Sequence, residues 1–550
     1  MADHSDPHNP MSRRTFLRLM GGAATPLILV ACGAPVAQTP TTAPAVPTSA
    51  PTAAATSAPG AVATSAPQAT VASGSARGGT LRVAFTNPEA NFNNLTMESA
   101  QVFINIYEPL AWVDAQWNLQ PRLATAWEPS EGGKVWTFKL REGVTFHHGT
   151  PFTAADVVHT VKRLKDPTLG KRYANNVAII DTVEAVDDRT VRFKLTAPYA
   201  VLPAITSGVF LYVLPHDQTE DDYAKRPMGT GPFRFKENVA GERTVLVRNE
   251  KYWDATLPFL DEIQINYMSD PNTQVAALIG GTVDVLPSIR PVNVPTLEAA
   301  GQITINEIKS GAAEVLVMRV DQKPFDDPRV RQAFKLVVDR EGMIKAVLQG
   351  HGVVGNDQII PPSNPYWANV PAPPYDVAKA KALLTEAGYA KGLDVTLYVS
   401  DAVAPNSAAL GVAFKEMAKA AGINVTVEQV TPEAYYAKYY MQTAFFVDYW
   451  YETVHPDNTL NFSFRSDGSY NASGWKSQKL DQLIDTARTE LDPAKQKALY
   501  GDIQKLISEE GATIAPYFRN LLTATRDIVR GVEFSPRSFV LFREASIKKP

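Results

Sequence analysis

Residues 136–157 read WTFKLREGVTFHHGTPFTAADV, and they carry the strongest local structural signal in the chain. Polar and apolar side chains alternate through Val135–Leu140, as in a half-buried strand. After a glycine turn, Thr153 and Asp156 have the spacing of a capping box, in which each side chain binds the backbone amide of the other residue. Apolar residues then recur at helical spacing, at Val157, Val158, Val161 and Leu164. The stretch predicts a strand, a turn and a capped helix.

The sequence around this stretch extends the pattern. Thr190–Leu195 alternates in the same way and predicts a second strand. We therefore interpret residues 120–225 as a compact α+β unit.

The rest of the body reads as alternating strands and capped helices. Turn glycines precede a first strand near Thr80–Phe85. Helices are predicted after Asp327, after Asp376 and from Ser407, and two more at 479–489 and Pro493–Glu510. A strand follows the glycine at 422. The body, residues 78–550, is too long for one hydrophobic core, so two or three domains are expected. The alternation of strands and helices predicts that these domains are of the mixed α/β class.

The N-terminus resembles an export signal. Arg13 and Arg14 precede a short apolar segment, as in twin-arginine signals. The segment ends in LVAC, residues 29–32, which is similar to the lipobox of bacterial lipoproteins. Cys32 is the only cysteine in the chain, and lipid attachment accounts for a thiol that has no disulfide partner. We expect residues 1–31 to be a signal and Cys32 to be acylated; the alternative is an uncleaved membrane anchor with an incidental cysteine.

Residues 32–77 are predicted to be a disordered tether. No charged residue occurs between Cys32 and Ala76, and Ala, Thr, Ser and Pro dominate the segment. Such a composition has too little apolar surface to offset the entropy lost on ordering. The expected location is the outer face of the cytoplasmic membrane, extracytoplasmic or periplasmic, with membrane contact through the lipid anchor only.

Composition argues against several classes of function. The chain has a net charge of −4 and lacks the basic stripe that nucleic-acid binding requires, so we expect no nucleic-acid partner. Neither a His-Glu-x-x-His nor a Gly-x-Ser-x-Gly motif occurs. The adjacent His147 and His148 point to opposite sides of an extended chain and rarely chelate one ion. We therefore expect no enzyme, no cofactor and no resident metal, and we expect a monomer.

The order of short motifs resembles the extracellular solute-binding proteins of family 5. Besides residues 136–157, the matching segments are GGTLRV at 78–83, IYEPL at 106–110, LQPRLATAW at 119–127, GTGPF at 229–233, NEKYW at 249–253, PRVRQAF at 328–334, ALLTEAGY at 382–389 and SGW at 473–475. They cover nearly the whole body.

The resemblance implies a periplasmic-binding-protein-like α/β fold, in which two hinged lobes close on a ligand and a third α+β domain is inserted in the first lobe. Mapped onto this chain, lobe I is 78–118 with 225–316 and 515–550, the inserted domain is 119–224, and lobe II is 317–514. The implied function is the substrate-binding component of an ABC importer. Its implied partners are a small-molecule or peptide ligand and the permease and ATPase complex.

The family resemblance also suggests where the ligand binds. Peptide-binding members hold the ligand α-amino group with an aspartate three residues after a tryptophan of lobe II. The matching segment is DYWYETVHPDN, residues 448–458; counted from Trp450 the aspartate position is Thr453, and the spacing to Pro456 is one residue short. The predicted ligand-contacting residues are Tyr107 and Glu108 from lobe I and Asp448, Tyr449, Trp450, Tyr451, Glu452, Thr453, His455 and Trp475 from lobe II.

The sequence leaves the ligand open between peptides, oligosaccharides, opines and chelated metals. Thr453 weakens the expectation of α-amino recognition, although Glu452 or Asp448 could take over the role of the aspartate. The aromatic residues suit sugar rings or cations; for Tyr435/Tyr439 and Tyr436/Tyr440 the alternative is packing between successive turns of one helix. Two other functions remain open: a secreted lipoprotein hydrolase, and a sensory adaptor that presents its ligand to a membrane receptor.

Overall fold

The computed structural model describes residues 77–548 except 90, 94, 96–99, 171 and 172. Arg13, Arg14 and Cys32, with the predicted signal and nearly all of the predicted tether, lie outside the described residues. The strands are β1 Thr80–Phe85, β2 Ala111–Val113, β3 Leu119–Pro121, β4 Ala124–Ser130, β5 Val135–Leu140, β6 Ile180–Asp187, β7 Thr190–Leu195, β8 Phe233–Val239, β9 Arg243–Arg248, β10 Glu262–Tyr267, β11 Val285–Leu286, β12 Ile303–Met318, β13 Gly352–Val354, β14 Leu393–Val399, β15 Ile423–Gln429, β16 Phe445–Trp450, β17 Thr513–Ile514, β18 Tyr517–Arg526, β19 Val529–Arg530, β20 Glu533–Phe534, β21 Val540–Leu541 and β22 Ser546–Ile547.

The α-helices are α1 Ala100–Ile106, α2 Ala154–Lys165, α3 Ala174–Val177, α4 Leu202–Ile205, α5 Glu220–Lys225, α6 Pro271–Ile279, α7 Val294–Ala300, α8 Pro328–Leu336, α9 Arg340–Leu348, α10 Val377–Glu386, α11 Ser407–Lys419, α12 Pro432–Ala434, α13 Pro456–Ser463, α14 Gln478–Thr489 and α15 Pro493–Glu510. None of the described helices combines the length and the apolar character needed to cross a membrane.

Local sequence signals explain where several elements begin. The capping-box residues Thr153 and Asp156 start α2, and the Thr153 amide donates to the Asp156 carboxylate at 2.8 Å. Asp327 caps α8 with Pro328 in the first turn, and Asp376 caps α10. The strands predicted at β1, β5 and β7 are observed.

One helix departs from the expectation. Residues Tyr435–Tyr439 form a π-helical turn, and the amide of Tyr440 donates to the carbonyl of Tyr435 at 2.8 Å. The extra residue per turn brings Tyr435 against Tyr440, with ring centroids 5.8 Å apart, instead of against Tyr439. Tyr439 stacks on Tyr398 at 4.3 Å. The expected pair Tyr436 and Tyr440 is in contact.

A long mixed sheet runs through the body in the order β15-β14-β16-β12-β18-β11-β1-β10-β9-β8. The end of the sheet that begins with β15 is covered on one face by α8 to α11 and on the other by α13 to α15. The end that includes β1 and β10 has its own two cores, one of which is lined by α6 and α7. Each half of the sheet therefore packs against its own hydrophobic cores.

The two halves are joined by continuous strands. The first part of β12 pairs with β18 through Ile308, and its last part, from Ala313, pairs with β16. Between these parts the register shifts, so residues 309–311 form a bulge opposite a single residue of β18. The Ser310 hydroxyl donates to the Arg519 carbonyl at 2.7 Å and holds the two strands together at this point.

A second, four-stranded antiparallel sheet, β4-β5-β7-β6, packs with α2 around a separate core. This sheet lies within the predicted inserted domain. Tyr199 from this region donates its hydroxyl to the Asp457 carboxylate at 2.8 Å, and the Nε atom of Arg488 lies 3.2 Å from the other carboxylate oxygen. The amide of Ala200 donates to the Arg488 carbonyl at 2.8 Å. The region thus contacts the segment that carries α13 and α14 through a buried polar group.

Candidate functional site

The candidate site begins where β16 ends. This strand lies inside the sheet between β12 and β14, and its carboxyl end pairs with β12, with Trp450 opposite Ala313. The chain then runs without regular structure from Tyr451 to His455, whose side chain caps α13, and Pro456 occupies the first turn of that helix. A short segment fixed at both ends presents its side chains in defined directions.

A concavity that is partly open to solvent lies against this segment. Its lining combines the end of β16 with the β12 bulge, a loop after β13 and the start of α13: Gly311, Ile359, Ile360, Pro361, Asn364, Trp450, Tyr451, Glu452, Thr453, Pro456 and Thr459. Four of the residues predicted from the sequence therefore lie together here: Trp450, Tyr451, Glu452 and Thr453.

Glu452 is the only residue of this lining with a carboxyl group, and the lining contains no Lys, Arg or His. One carboxylate oxygen accepts the Gly311 amide at 2.6 Å, and the other lies 3.5 Å from the Asn364 side-chain nitrogen. Burial raises the pKa of the Glu452 carboxyl to about 8, although the Gly311 amide, Asn364 and the more distant Arg537 lower it. No Lys, Arg or His of the described chain forms an ion pair with it. The concavity therefore contains a carboxyl group that a bound cation would ionise.

The predicted aromatic residues near Glu452 have different surroundings. Trp450 packs against Phe464 with ring centroids 5.4 Å apart, and Trp475 is buried in the same core. Tyr449 lies on the opposite face of β16, where its hydroxyl is 3.4 Å from an Arg519 nitrogen. Tyr451, in contrast, is 65% exposed at the rim.

Asp448 lies on the same face of β16 as Trp450 but outside the lining residues. Its carboxylate accepts the Tyr449 amide at 2.8 Å. Burial raises the pKa of the Asp448 carboxyl to about 6. Burial raises the pKa values of Tyr435 and Tyr440, and the Asp448 charge raises them further, which places those phenols in its surroundings.

Thr453 and His455 have local structural partners. The Thr453 hydroxyl donates to the His455 carbonyl at 2.8 Å. The Nδ1 atom of His455 accepts the Asp457 amide, and its ring packs between Tyr366 and Tyr500. Burial lowers the pKa of His455 to about 3, so the imidazole is neutral at physiological pH. Across the described residues, no group of three His, Cys, Asp or Glu is arranged to hold a metal ion.

Tyr107 and Glu108 lie away from this concavity. Tyr107 is fully buried and stacks on Phe103 at 4.4 Å. The Glu108 carboxylate accepts hydrogen bonds from Tyr252 at 2.7 Å, Trp253 at 3.0 Å and Thr230 at 3.0 Å. Its hydrogen-bonding capacity is thus met within the protein, and the structure does not bring these two residues together with Glu452.

Sequence reasoning missed three contributors to the site. Gly311 and Asn364, which hold the Glu452 carboxylate, come from the β12 bulge and from a loop far away in the sequence. Arg537 is buried on the side of β2, where it lies over Trp112, and it is one of the charges that act on Glu452. No local pattern of the sequence marks these positions.

Comparison with known proteins agrees with the fold. The family model described as "Bacterial extracellular solute-binding proteins, family 5 Middle" matches residues 118–471. The glutathione-binding protein GsiB of Pectobacterium atrosepticum is 28% identical over 82% of this chain and 90% of that protein.

Solved structures extend the comparison. The periplasmic binding protein DppA of Helicobacter pylori in complex with the peptide STSA has 26% identity and a TM-score of 0.71, covering 86% of this chain and 99% of that one. The substrate-binding protein CtaP of Listeria monocytogenes has a TM-score of 0.77 at 24% identity, covering 86% and 100%, and supports the fold alone.

These findings confirm the predicted periplasmic-binding-protein-like α/β fold. The relatives are extracytoplasmic solute-binding proteins and not enzymes, which removes the hydrolase alternative. The chain belongs to family 5 of the bacterial extracellular solute-binding proteins and is the substrate-binding protein of an ABC importer.

Proposed function

We propose that this protein is a lipid-anchored receptor that binds a peptide-like solute between two lobes, with Glu452 holding the ammonium group of the solute. The observation that carries the proposal is the partly buried Glu452 carboxyl at the wall of a concavity, without a cationic partner in the described chain. Ionising such a group without a partner is unfavourable, and an ammonium group from the ligand would supply the missing charge.

The sequence spacing supports the same residue. Counted forward from Trp450, the aspartate that binds the α-amino group in peptide-binding members falls at Thr453. The segment is one residue short, so counting back from Pro456 places that position at Glu452. The side chain at 452 lines the concavity with both carboxylate oxygens fixed, whereas the Thr453 hydroxyl is occupied by the His455 carbonyl.

The names of the relatives support a peptide-like ligand. One relative is described as glutathione-binding, and one structure contains the peptide STSA. Glutathione and an unmodified peptide both have a free ammonium group and a carboxylate. A ligand of this class fits a wall made of one carboxyl group, one amide and aromatic side chains.

Capture would use the two strands that join the lobes. The bulge at 309–311 in β12 and the facing part of β18 are the places where the sheet register changes. We assign the hinge to these residues, and the proposal takes lobe I and lobe II with the bounds that the family resemblance implies. Because Glu452 accepts the Gly311 amide, the ligand-binding carboxylate is directly attached to this hinge.

Anchoring completes the proposed function. Arg13 and Arg14 would direct export, acylation of Cys32 would hold a monomer at the outer face of the membrane, and residues 32–77 would let it reach the permease and ATPase complex. Replacement Cys32→Ser tests this: the protein should lose the mass of the lipid and leave the membrane fraction. Retention of the variant in washed membranes would contradict the anchor.

An oligosaccharide is the second candidate ligand. It is favoured by Tyr451, an aromatic side chain 65% exposed at the rim and next to Trp450. Aromatic faces pack well on sugar rings.

A competition experiment separates the two ligand classes. The probes are a pool of unmodified tripeptides and the same pool with acetylated N-termini, and native mass spectrometry measures retention. We expect the protein to retain only the unmodified pool, and Glu452→Gln to lower this retention strongly. Glu416→Gln, on the exposed face of α11, is the control. Retention of neutral oligosaccharides but of neither peptide pool would overturn the peptide proposal.

A further inference from the structure

A buried polar group joins the predicted inserted domain to lobe II. Tyr199 of the inserted domain donates its hydroxyl to the Asp457 carboxylate at 2.8 Å, and Asp457 lies in the first turn of α13. The Nε atom of Arg488, in α14, lies 3.2 Å from the other carboxylate oxygen, and its guanidinium carbon lies 5.2 Å from the centre of the Tyr199 ring. Tyr199 and Asp457 are 4% and 2% exposed, so little water competes for their hydrogen bond.

Backbone and apolar contacts extend this interface. The Ala200 amide donates to the Arg488 carbonyl at 2.8 Å. Val454 comes from the segment between β16 and α13, yet it is buried in the hydrophobic core of the inserted domain, the core that includes Tyr199. The interface therefore combines a buried hydrogen bond to a carboxylate, a main-chain hydrogen bond and an apolar contact.

The inserted domain is joined to lobe I by the chain and by further contacts. With the bounds given above, both ends of the inserted domain continue into lobe I, and its β3 pairs with β2 of that lobe. The His147 amide donates to the Gly229 carbonyl at 2.9 Å. The guanidinium of Arg141 lies 4.0 Å from the centre of the Trp253 ring. A movement of lobe II about the bulge at 309–311 must therefore break the interface between the inserted domain and lobe II.

This interface acts on the segment that carries the candidate ligand-binding carboxyl group. Val454 lies two residues after Glu452, and the Nδ1 atom of His455 accepts the Asp457 amide at 3.2 Å. Glu452 is bonded to the bulge through the Gly311 amide. The segment 451–457 is thus held at one end by the proposed hinge and at the other end by the inserted domain.

We propose that Tyr199 is a positioning residue that holds the inserted domain on lobe II and thereby fixes the segment 451–457 in its solute-binding position. The interface forms in the closed arrangement of the lobes and breaks when lobe II moves away. It favours the closed arrangement, so less of the binding free energy of the solute is spent on closing the protein. This inference rests on the proposed function, because it assumes that the segment 451–457 contacts the solute.

Pulsed electron paramagnetic resonance measures the arrangement of the lobes without a solute. In a Cys32→Ser background, which has no other cysteine, spin labels are attached at Glu128→Cys on β4 and Lys497→Cys on α15, both exposed. We expect Tyr199→Phe to raise the ratio of the longer to the shorter distance population about 10- to 100-fold, the range for one hydrogen bond to a charged group. Tyr375→Phe, at a tyrosine that is 54% exposed, is the control and should match the wild-type protein.

Binding kinetics supply a readout that a purely structural role would not change. With an unmodified tripeptide that the protein retains, stopped-flow measurements should show about 10- to 100-fold faster dissociation from Tyr199→Phe, because the closed complex opens more often. The association rate should stay within about threefold of the wild-type value. A saturating concentration of the tripeptide should restore the shorter distance in the variant.

The distance measurement separates this inference from the proposed function because it needs no solute. An unchanged distance distribution in folded Tyr199→Phe, or unchanged peptide dissociation, would overturn the role of Tyr199 and leave that of Glu452 standing. A shifted distribution together with full peptide retention by Glu452→Gln would overturn the proposed function alone. Should Tyr199→Phe not fold, Val454→Thr, which places a hydroxyl in the apolar contact, must give the same shift, and its absence would overturn the inference.

Discussion

The proposed ammonium site makes ligand affinity depend on pH in a defined way. In the ligand-free protein, burial raises the pKa of Glu452 to about 8, so at pH 7 about one carboxyl in ten is ionised. Ionising it at pH 7 costs about 1.4 kcal/mol, one pKa unit. Binding of an ammonium group requires the carboxylate, so the complex releases about one proton per ligand at pH 7.

The sign of the effect follows from this proton release. Affinity rises with pH below the ligand-free pKa, by close to tenfold between pH 6 and pH 7, and the increase ends near pH 8. Above about pH 8 the α-amino group of a peptide, whose ordinary pKa is about 8, loses its own proton and affinity falls. We therefore expect a maximum of affinity near pH 8.

Titration calorimetry measures this directly with a tripeptide that the protein retains. Experiments at pH 7 in two buffers of different ionisation enthalpy give the number of protons released, which should be close to one. Glu452→Gln should bind more weakly, release no proton and lose the rising limb below pH 8, and Glu416→Gln should behave as the wild-type protein does. A flat affinity between pH 6 and 8, without proton release, would refute the assignment of Glu452.

Three further predictions concern the support of the site. Tyr199→Phe removes the hydrogen bond to the buried Asp457 and should lower the free energy of unfolding by about 1.5–3 kcal/mol in urea denaturation; an unchanged value would show that the contact contributes nothing. A Cβ at Gly311 would lie 3.0 Å from the Glu452 carboxyl carbon, so Gly311→Ala should weaken peptide binding about tenfold while the melting temperature changes little; unaltered calorimetric affinity would contradict the link. The neutral, buried His455 has a folded pKa of about 3, so the stability it contributes is complete above pH 6.5 and declines as the pH falls toward 3. His455→Asn, which keeps a capping side chain, should flatten the melting temperature over that range, and an equally steep decline would count against this role.

Much of the fold could be predicted because its signals are local. Alternation of side chains predicted β5 and β7, and the capping residues Thr153, Asp327 and Asp376 fixed the starts of three helices. The π-helical turn at Tyr435–Tyr439 was not predictable in this way, because the sequence spacing of tyrosines suits an ordinary helix equally well.

The site was predictable only in part because it is assembled from distant segments. The family spacing predicted residues 450–453 as ligand-contacting residues, and these four residues line the concavity. Because the segment is one residue short, two residues can occupy the aspartate position. It is Thr453 if the missing residue lies after that position, and Glu452 if the missing residue lies before it. Asn364 and Arg537 come from other parts of the chain, and the contacts that place them depend on the tertiary fold.

The most direct test of the account is native mass spectrometry of the full chain purified from its own host. The account predicts one bound solute per protein, of unaltered mass, with a free ammonium group and a carboxylate, and its absence from Glu452→Gln prepared in parallel. A neutral sugar in the site, or a solute retained equally by the variant, would contradict it.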